Sequence, residues 1–378
     1  MKTSPSRLRV VKHQNPAEVS SDGGVSPQVS PAFARILRES NRPPRFLLSR
    51  MSAIGDCILT LPLACAIRNA FPEAHLGWVV ERKAAPMVRG HECLDAVIEL
   101  ERGWFTSSRG RRRAKEELRS HQFDVSIDPQ GLTKSALAGY LSGARLRIGY
   151  SGRHGGELSR LLNNHRVATA FPHVTDRSLE LLGPLGIENP EVEFRLPLQP
   201  DARRWASRYR RGVTPGRLAV MNPGGTWASK LWPPKRFAQV AQQIHEVYGY
   251  KSLAVWGNDE ERLMADEMVA RSGGAMLLGP ATDLHHLAAL IETADLFISG
   301  DTGPLHMSVA VKTATIGLYG ATKPGDSGPY RQTAIQKAYE SGSRKHRRKA
   351  DNQAMKAIQV SDVCQAIDEI EQLRRMAA

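Results

Sequence analysis

Short apolar runs alternate with longer amphipathic segments along most of the chain. In the first half, this pattern predicts strands at residues 46–48, 76–80, 96–100, 123–128 and 146–150, and helices at residues 57–70, 84–89 and 134–141. Buried strands that alternate with helices are typical of a parallel sheet covered by helices on both faces. The first half is therefore predicted to form an α/β unit.

The same alternation starts again in the second half. It predicts strands at residues 217–222, 252–256, 295–299 and 315–318, and helices at residues 234–247, 260–271, 284–293 and 304–311. Near the end of the chain, Val363, Ile367 and Ile370 recur at spacings of four and three, which indicates an amphipathic helix. The pattern therefore predicts a second α/β unit followed by one last helix.

Composition and pattern together suggest where the domains begin and end. We expect a disordered N-terminal tail at 1–44, an N-terminal domain at 45–190, a linker at 191–200, a C-terminal domain at 201–360 and a final helix at 361–378. The tail is poor in core-forming residues and rich in Ser, Pro, Gly and charge, which predicts disorder, with room for a short helix near residues 33–38. A length of 378 residues suits two domains that each bury a core.

The net charge of +14 indicates acidic partners, such as phosphates, anionic lipid or nucleic acid. The spacing of Cys57, Cys65, Cys93 and Cys364 is unlike that of a zinc or redox site, which predicts free, buried thiols in a reducing compartment. No apolar stretch is long enough for a signal peptide or a membrane span. The sequence therefore predicts a cytoplasmic protein, and association with a membrane surface stays compatible with it.

Three strand-to-helix loops carry unusual polar residues. In open parallel sheets, ligands bind at the loops that follow the carboxyl ends of strands. In the first loop, RMSAIGD at 50–56, Gly55 permits a tight turn and Asp56 stands at the start of a helix. Asp56 is either a helix N-cap, which is the commoner role, or a general base that removes a proton from an acceptor hydroxyl.

The other two loops suit phosphate. In NPGGTWASKLWP at 222–233, glycine N–H groups, the Thr226 hydroxyl and the Lys230 charge can hold a phosphate, although the spacing excludes a Walker motif. In SGDTGPLH at 299–306, Asp301 and Thr302 precede a helix whose first N–H groups can bind a diphosphate, with His306 one turn inside. The alternatives are a solvated lysine in an ordinary loop, and simple capping by Asp301 beside a packed His306.

Five motifs occur in a familiar order: SAIGD (52–56), DPQGLTKS (128–135), KLWP (230–233), DTGPLH (301–306) and YGATKP (319–324). In this combination the chain resembles the bacterial ADP-heptose:lipopolysaccharide heptosyltransferase family, glycosyltransferase family 9. The likeness extends over about residues 45–330. Residues 78–81, 102–105 and 130–135 are more similar to the heptosyltransferase I branch.

The resemblance implies the GT-B fold, in which two Rossmann-like domains face each other across a cleft. It implies that the N-terminal domain binds the acceptor, that the C-terminal domain binds the nucleotide sugar, and that the last helix packs back on the N-terminal domain. The implied reaction is an inverting transfer of heptose from ADP-heptose to a lipopolysaccharide inner-core (lipid A–Kdo) acceptor, with no cofactor and no obligatory metal. A GT-B enzyme that uses another nucleotide sugar and another cell-envelope acceptor is the alternative.

The resemblance also assigns roles to individual residues. Asp56 matches the catalytic base of the family. The positions that match donor-binding residues are Thr226, Lys230, Glu261, Asp301, Thr302, Gly303 and His306. Glu260 replaces Glu261 if the register slips by one residue. The positions assigned to the acceptor are Ser52, Gln130 and Lys134.

The chain departs from the family in its N-terminal tail, in the glycine pair at 224–225 and in the basic segment at 341–349. These departures leave the exact donor sugar and the acceptor open. A further set of cations is expected to face an anionic acceptor or the cytoplasmic face of the inner membrane, unless it is simply a solvated surface: Arg102, Arg109, Arg111, Arg112, Arg113 and Lys115. A nonenzymatic nucleic-acid-binding protein is a remote alternative, because no recognised nucleic-acid module is present; we expect no nucleic-acid partner.

Overall fold

A computed structural model describes residues 29–156 and 158–377 of the chain. The described residues divide between Pro197 and Leu198 into two units, which we call the N-terminal unit and the C-terminal unit. Residues 191–199 belong to no helix or strand, and a helix begins at Pro200. Among the described residues, no helix is both long enough and apolar enough to cross a bilayer.

The N-terminal unit is built on a six-stranded parallel sheet. Its strands are β1 (Arg45–Ser49), β2 (His75–Glu81), β3 (Ala96–Leu100), β4 (Val125–Ile127), β5 (Leu146–Tyr150) and β6 (His165–Val167). Their order in the sheet is β3-β2-β1-β4-β5-β6, which is the strand order of a Rossmann fold. The inner strands read as apolar runs because both faces of the sheet are buried.

The C-terminal unit repeats this topology. Its strands are β7 (Leu218–Asn222), β8 (Lys251–Ala254), β9 (Met276–Leu278), β10 (Leu296–Gly300), β11 (Thr315–Tyr319) and β12 (Thr333–Gln336). They are all parallel in the order β12-β11-β10-β7-β8-β9, so that the first strand of the unit again lies between its second and fourth. Two Rossmann-like units in one chain give the α/β architecture of the GT-B class, as predicted.

Helices connect the strands in both units. The helices of the N-terminal unit are α1 (Pro31–Glu39), α2 (Ile54–Ala70), α3 (Ser108–Ser120), α4 (Thr133–Leu141), α5 (Ser159–Leu162) and α6 (Val174–Leu179). Those of the C-terminal unit are α7 (Pro200–Val213), α8 (Pro234–Tyr248), α9 (Asp259–Arg271), α10 (Leu284–Glu292), α11 (Gly303–Ala310), α12 (Pro324–Ser327), α13 (Arg344–Lys349), α14 (Gln353–Lys356) and α15 (Val360–Ala377). α2 is apolar on nearly all sides because it is buried on nearly all sides.

The pattern of apolar residues misses some elements. The strands β6, β9 and β12, each at an edge of its sheet, are absent from the prediction. The predicted helix at 84–89 is only a short 3₁₀ turn, Ala85–Met87, in which Pro86 lacks a backbone N–H to continue the ladder. The charged helix α3 is also missing from the predicted elements. Its buried face contains only Ala114 and Leu118, which is too few apolar residues to show a helical period in the sequence.

The predicted disordered tail extends too far. Residues 1–28 lie outside the described residues, but residues 31–39 form helix α1, which agrees with the short helix expected near residues 33–38. Phe33 and Ile36 of this helix are buried, and the Phe33 ring centroid lies 6.0 Å from that of Phe46 and 5.7 Å from that of Phe71. Two apolar side chains one turn apart are enough to dock this helix on the N-terminal unit, so the ordered part begins before residue 45.

The last helix packs differently from the expectation. The sequence predicts that it packs on the N-terminal domain, whereas its buried face belongs to the core of the C-terminal unit. Val363 and Ile367 lie in one cluster with Phe237 and Ile244 of α8. The apolar stripe of α15 therefore faces a helix that precedes it in the same unit, and the sequence carries no signal for this choice of neighbour.

Candidate active site

The predicted loops lie at the same place in both sheets. A Rossmann-like sheet binds ligands outside the carboxyl ends of its first and fourth strands, where the strand order reverses. In the N-terminal unit, β1 leads into residues 50–56 and β4 into residues 128–134; in the C-terminal unit, β7 leads into residues 223–233 and β10 into residues 301–303. Each unit therefore gathers its candidate residues at its own switch point.

Asp301 is the centre of the site in the C-terminal unit. Its Oδ2 lies 2.6 Å from Lys230 Nζ and accepts a hydrogen bond of 2.7 Å from the Thr322 hydroxyl. Its Oδ1 lies 3.6 Å from His306 Nε2. The side chains of Lys230 and Asp301 are only 12% and 10% exposed, so this ion pair is largely shielded from water. The structure thus brings together three of the predicted donor residues and adds Thr322.

Asp301 stays charged in this environment. Burial opposes its ionisation, but the nearby His306 ring and the charge of Lys230 outweigh that effect and hold the pKa of Asp301 well below its usual range. The other ring nitrogen of His306, Nδ1, is buried without a hydrogen-bond partner among the described residues. The site therefore holds a fixed negative charge that positions Lys230 at the edge of the loop.

Thr302 and Gly303 start helix α11. Thr302 is its N-cap, and the Thr302 hydroxyl lies 2.9 Å from Ser299 Oγ and 3.3 Å from Asn222 Nδ2. The first turn of a helix has N–H groups without a carbonyl partner, and the helix dipole makes this end positive. Pro304, the second residue of the helix, has no N–H to satisfy there. This end of α11 suits a diphosphate.

Glu261 lies against the first of the two phosphate-type loops. Its carboxylate accepts a hydrogen bond of 2.8 Å from Gly257 N–H, and a Cβ added to Gly224 would stand 2.3 Å from Glu261 Cδ. Glycine at 224 therefore leaves room for this carboxylate. Glu260, the alternative, is exposed on the first turn of α9. Thr226 is exposed on the same loop.

In the N-terminal unit, Asp56 is the third residue of α2. Its Oδ1 lies 2.8 Å from Arg50 Nη2, and its Oδ2 accepts a hydrogen bond of 3.1 Å from the N–H of Ala53, the N-cap residue. The Arg50 side chain is 7% exposed and also donates to the Pro129 carbonyl at 2.8 Å. Asp56 is therefore not the N-cap residue, but its carboxylate binds the N-cap N–H, and its side chain is 40% exposed and open to a ligand.

The three acceptor candidates surround the same loop. Lys134 Nζ donates to Ser52 Oγ at 2.9 Å and forms a short ion pair with Glu81 at the end of β2. Gln130 Oε1 accepts the N–H of Met51 at 2.8 Å. All three therefore stabilise the conformation of residues 50–56, and Glu81 and Arg50 are partners that the sequence did not single out.

Asp128 holds the loop that carries Gln130. It is buried and accepts N–H groups of Gln130 at 3.1 Å and Gly131 at 2.9 Å, with Asn163 Nδ2 at 3.2 Å. Burial is the largest influence on this carboxyl and raises its pKa in spite of these hydrogen bonds. Asp128 thus shapes the loop before α4 and has no route to solvent.

A group of metal-ligating side chains lies elsewhere in the N-terminal unit. Cys65, His91 and Cys93 are buried, and their ligand atoms lie within 4.8 Å of one another. The neighbouring thiol of Cys65 is the main cause that lowers the pKa of Cys93 below its ordinary value. All four cysteines are free and buried, as predicted, but the spacing gave no sign that these three residues meet. Among the described residues, this is the group that could hold a soft metal ion.

Two Rossmann-like units, each with polar side chains gathered at its switch point, have the architecture of the GT-B class. The chain matches the family Glycosyltransferase family 9 (heptosyltransferase) over residues 111–357, and it belongs to that family. The sequence resemblance is thereby confirmed.

Named relatives agree with this assignment. Lipopolysaccharide heptosyltransferase 1 of Pseudomonas aeruginosa is 28% identical over 77% of this chain and 82% of its own length. The protein of the same name from Escherichia coli K12 is 27% identical over 76% of this chain and 91% of its own length. These names agree with the predicted likeness to the heptosyltransferase I branch.

Solved structures agree in fold. A family 9 glycosyltransferase from Veillonella parvula superposes with a TM-score of 0.70 at 21% identity, and covers 87% of this chain and 97% of its own. The E. coli heptosyltransferase WaaC with ADP gives a TM-score of 0.67 at 23% identity, with 87% and 98% covered. At this level of identity the likeness concerns the fold.

Proposed function

We propose that this enzyme transfers heptose from ADP-heptose to a lipopolysaccharide inner-core (lipid A–Kdo) acceptor, with inversion at the anomeric carbon. Family membership supports heptose transfer, and the relatives named as lipopolysaccharide heptosyltransferases support the acceptor class. The observation that carries the proposal is the shielded pair of Lys230 and Asp301 beside the first turn of α11.

On the donor side, Lys230 and the N–H groups at the start of α11 bind the diphosphate. Asp301, with His306 and Thr322, holds Lys230 in place. Negative charge grows on the diphosphate as the bond to the anomeric carbon breaks, so these groups stabilise the transition state more than the ground state. Because protein groups supply this positive charge, we expect no obligatory metal in the reaction. Glu261 and Thr226 bind the nucleoside side of the donor.

On the acceptor side, Asp56 is the general base. The acceptor hydroxyl attacks the anomeric carbon from the face opposite the diphosphate, and Asp56 takes its proton. Arg50 and the Ala53 N–H each hold one carboxylate oxygen, which fixes the orientation of Asp56, and the exposed part of the carboxylate faces the acceptor. Ser52, Gln130 and Lys134 hold the loop that carries Asp56 and bind the acceptor.

The proposal is tested by incubating the protein with ADP-heptose and a delipidated Kdo-containing acceptor. We expect a heptosylated product in mass spectrometry and none with UDP-linked sugars. Lys230→Ala should weaken binding of ADP more than binding of adenosine, because Lys230 acts on the diphosphate charge. The matched control is Lys235→Ala, an exposed lysine on α8. Transfer from a UDP-sugar would favour the alternative donor, and equal losses for ADP and adenosine would place Lys230 away from the phosphates.

We also propose that the enzyme works in the cytoplasm, at the surface of the inner membrane. Arg109, Arg111, Arg112 and Arg113 on α3 are all exposed. Arg112 forms an ion pair with Glu116 at 3.7 Å, and Glu116 is exposed as well. Each basic side chain near an anionic membrane adds about 1 kcal/mol of binding. Neutralising Arg111, Arg112 and Arg113 together should sharply reduce sedimentation with anionic vesicles and leave transfer to a delipidated acceptor unchanged. Unchanged sedimentation would show that α3 is only a solvated face.

A further inference from the structure

The basic helix α13 packs on the loop that carries Lys230. Its neighbour in that loop is the 3₁₀ turn Ala228–Lys230. Ser229 Oγ donates to the carbonyl of Arg347 at 2.5 Å, and Arg347 Nη1 donates to the carbonyl of Ala321 at 2.6 Å. These contacts hold the helix at a fixed position beside the donor loop.

The same helix surrounds Trp227 with positive charge. Lys230 Nζ lies 4.4 Å from the centre of the Trp227 ring, the Cζ atom of Arg348 lies 5.6 Å from it, and that of Arg344 lies 6.0 Å from it. Positions 344 and 348 are four residues apart, which places both side chains on one face of a helix. Three cations therefore converge on a single indole.

This charge is not balanced by the protein residues that the structure describes. Lys230 is paired with Asp301, and the neighbouring acid Glu340 is paired with His346 at 3.3 Å. Arg344 and Arg348 form no ion pair with any described residue, and each makes a cation–π contact with the Trp227 ring. Like charges repel, and a cation–π contact at an exposed site compensates only in part. An anion bound between these guanidinium groups would remove the imbalance.

We propose that Arg344 and Arg348, with Lys230 around Trp227, form a second oxyanion site that binds a phosphate or carboxylate group of a substrate. The inference rests on the proposed function, because the two arginines lie beside the lysine that is proposed to bind the donor diphosphate. Guanidinium groups bind phosphate and carboxylate in a bidentate manner, which suits a specific oxyanion better than a diffuse charge does. The anion belongs either to the donor diphosphate or to an acidic group of the acceptor.

The test is the double variant Arg344→Gln/Arg348→Gln. Its matched control is Lys345→Gln/Lys349→Gln, which removes the same charge from exposed positions of the same helix. Thermal midpoints are measured first, to show that both variants are as stable as the wild-type protein. Dissociation constants for ADP, adenosine and a delipidated Kdo-containing acceptor are then measured by calorimetry. We expect the arginine variant to weaken one anionic ligand by about tenfold or more, the size of a lost charge-assisted hydrogen bond, while adenosine binding and the control variant stay unchanged.

The ligand that loses affinity identifies the source of the anion. Weaker ADP binding assigns the site to the donor diphosphate, and weaker acceptor binding with unchanged ADP binding assigns it to the acceptor. Equal losses in both double variants, a loss of adenosine binding as large as that of ADP, or no loss in either variant would overturn the proposal. These titrations need no turnover, so they decide the oxyanion site even if the wild-type protein fails to transfer heptose.

Discussion

Replacing Asp56 by Asn is expected to lower the turnover number of heptose transfer by about 10²–10⁴-fold, the usual contribution of a positioned general base. Asparagine keeps the shape of the side chain, and its amide oxygen can still accept the Ala53 N–H that Asp56 now holds at 3.1 Å. The variant loses the basic carboxylate and the ion pair with Arg50. Turnover is measured at saturating substrates, and the dissociation constant of ADP should not change.

Asp283→Asn is the matched control for this variant. Asp283 also stands at a helix N-terminus, where it accepts the N–H of His286 at 2.8 Å to cap α10, but it has no place in the proposed mechanism. It should keep wild-type turnover. If Asp56→Asn stays within about tenfold of wild type, below the usual range for a lost base, then Asp56 acts only as a cap and as the partner of Arg50.

Replacing Phe33 by Ala is expected to lower the free energy of unfolding by about 3–5 kcal/mol, the usual range for a buried Phe. Phe33 is fully buried and packs on the rings of Phe46 and Phe71. The chain around it is anchored as well, since Ser30 N–H donates to the Pro184 carbonyl at 2.9 Å. The removed ring would leave a cavity that the fixed neighbours cannot fill. Urea denaturation of the full chain measures the effect.

Leu37→Ala, on the same helix, separates packing from helix formation. Leu37 is 42% exposed, so its replacement should change the free energy of unfolding by no more than about 0.5 kcal/mol. A Phe33→Ala protein as stable as wild type would mean that α1 adds nothing to the core, and the tail would then end near residue 44 after all.

Most of the strands that the sequence predicts are buried on both faces, and β3 is the one predicted strand at a sheet edge. The middle residues of β1 and β10, 46–48 and 296–298, are all apolar, and these runs are visible in the pattern. Edge strands pair on one side only, so they need no such run. β6 contains His165 and Arg166, and it is a strand because β5 offers it a free edge. That cause lies in the sheet and leaves no local signal.

The average composition of residues 1–44 also conceals an ordered segment at the start of the chain. The composition of residues 1–44 is dominated by polar and small residues, which predicts disorder. This segment has only a few large apolar residues, but the spacing of Phe33 and Ile36 places both on one side of α1 and against the core. Whether so small an apolar face docks depends on the surface it meets, which lies elsewhere in the sequence.

The site residues that the sequence predicts are those whose own loop carries the signal. Glycine, proline and polar residues at strand ends indicate Asp56, Lys230 and Asp301 without any knowledge of their neighbours. The partners of these residues were not predictable. Thr322 reaches Asp301 from the loop after β11, and no local pattern marks Arg50 as the partner of Asp56. Such pairs are set by the order of strands, because neighbouring strand ends bring distant segments together.

Cys65, His91 and Cys93 illustrate the same limit. Metal sites are found from sequence by the short, regular spacing of their ligands. Here α2 supplies one side chain and the loop before β3 supplies the other two. Only the packing of that loop on α2 makes them neighbours.

The contact between Gly224 and Glu261 limits the order in which these two positions can change during evolution. A Cβ at 224 would stand 2.3 Å from Glu261 Cδ, so any larger residue there displaces the carboxylate from the Gly257 N–H. A lineage that first shortens the acid can then accept a hydroxyl residue at 224. A lineage that changes the glycine first passes through a protein in which the Glu261 carboxylate has moved away from the Gly257 N–H. We therefore expect the two positions to change together, and a chimera that exchanges one of them to regain the original contact only when it exchanges the other.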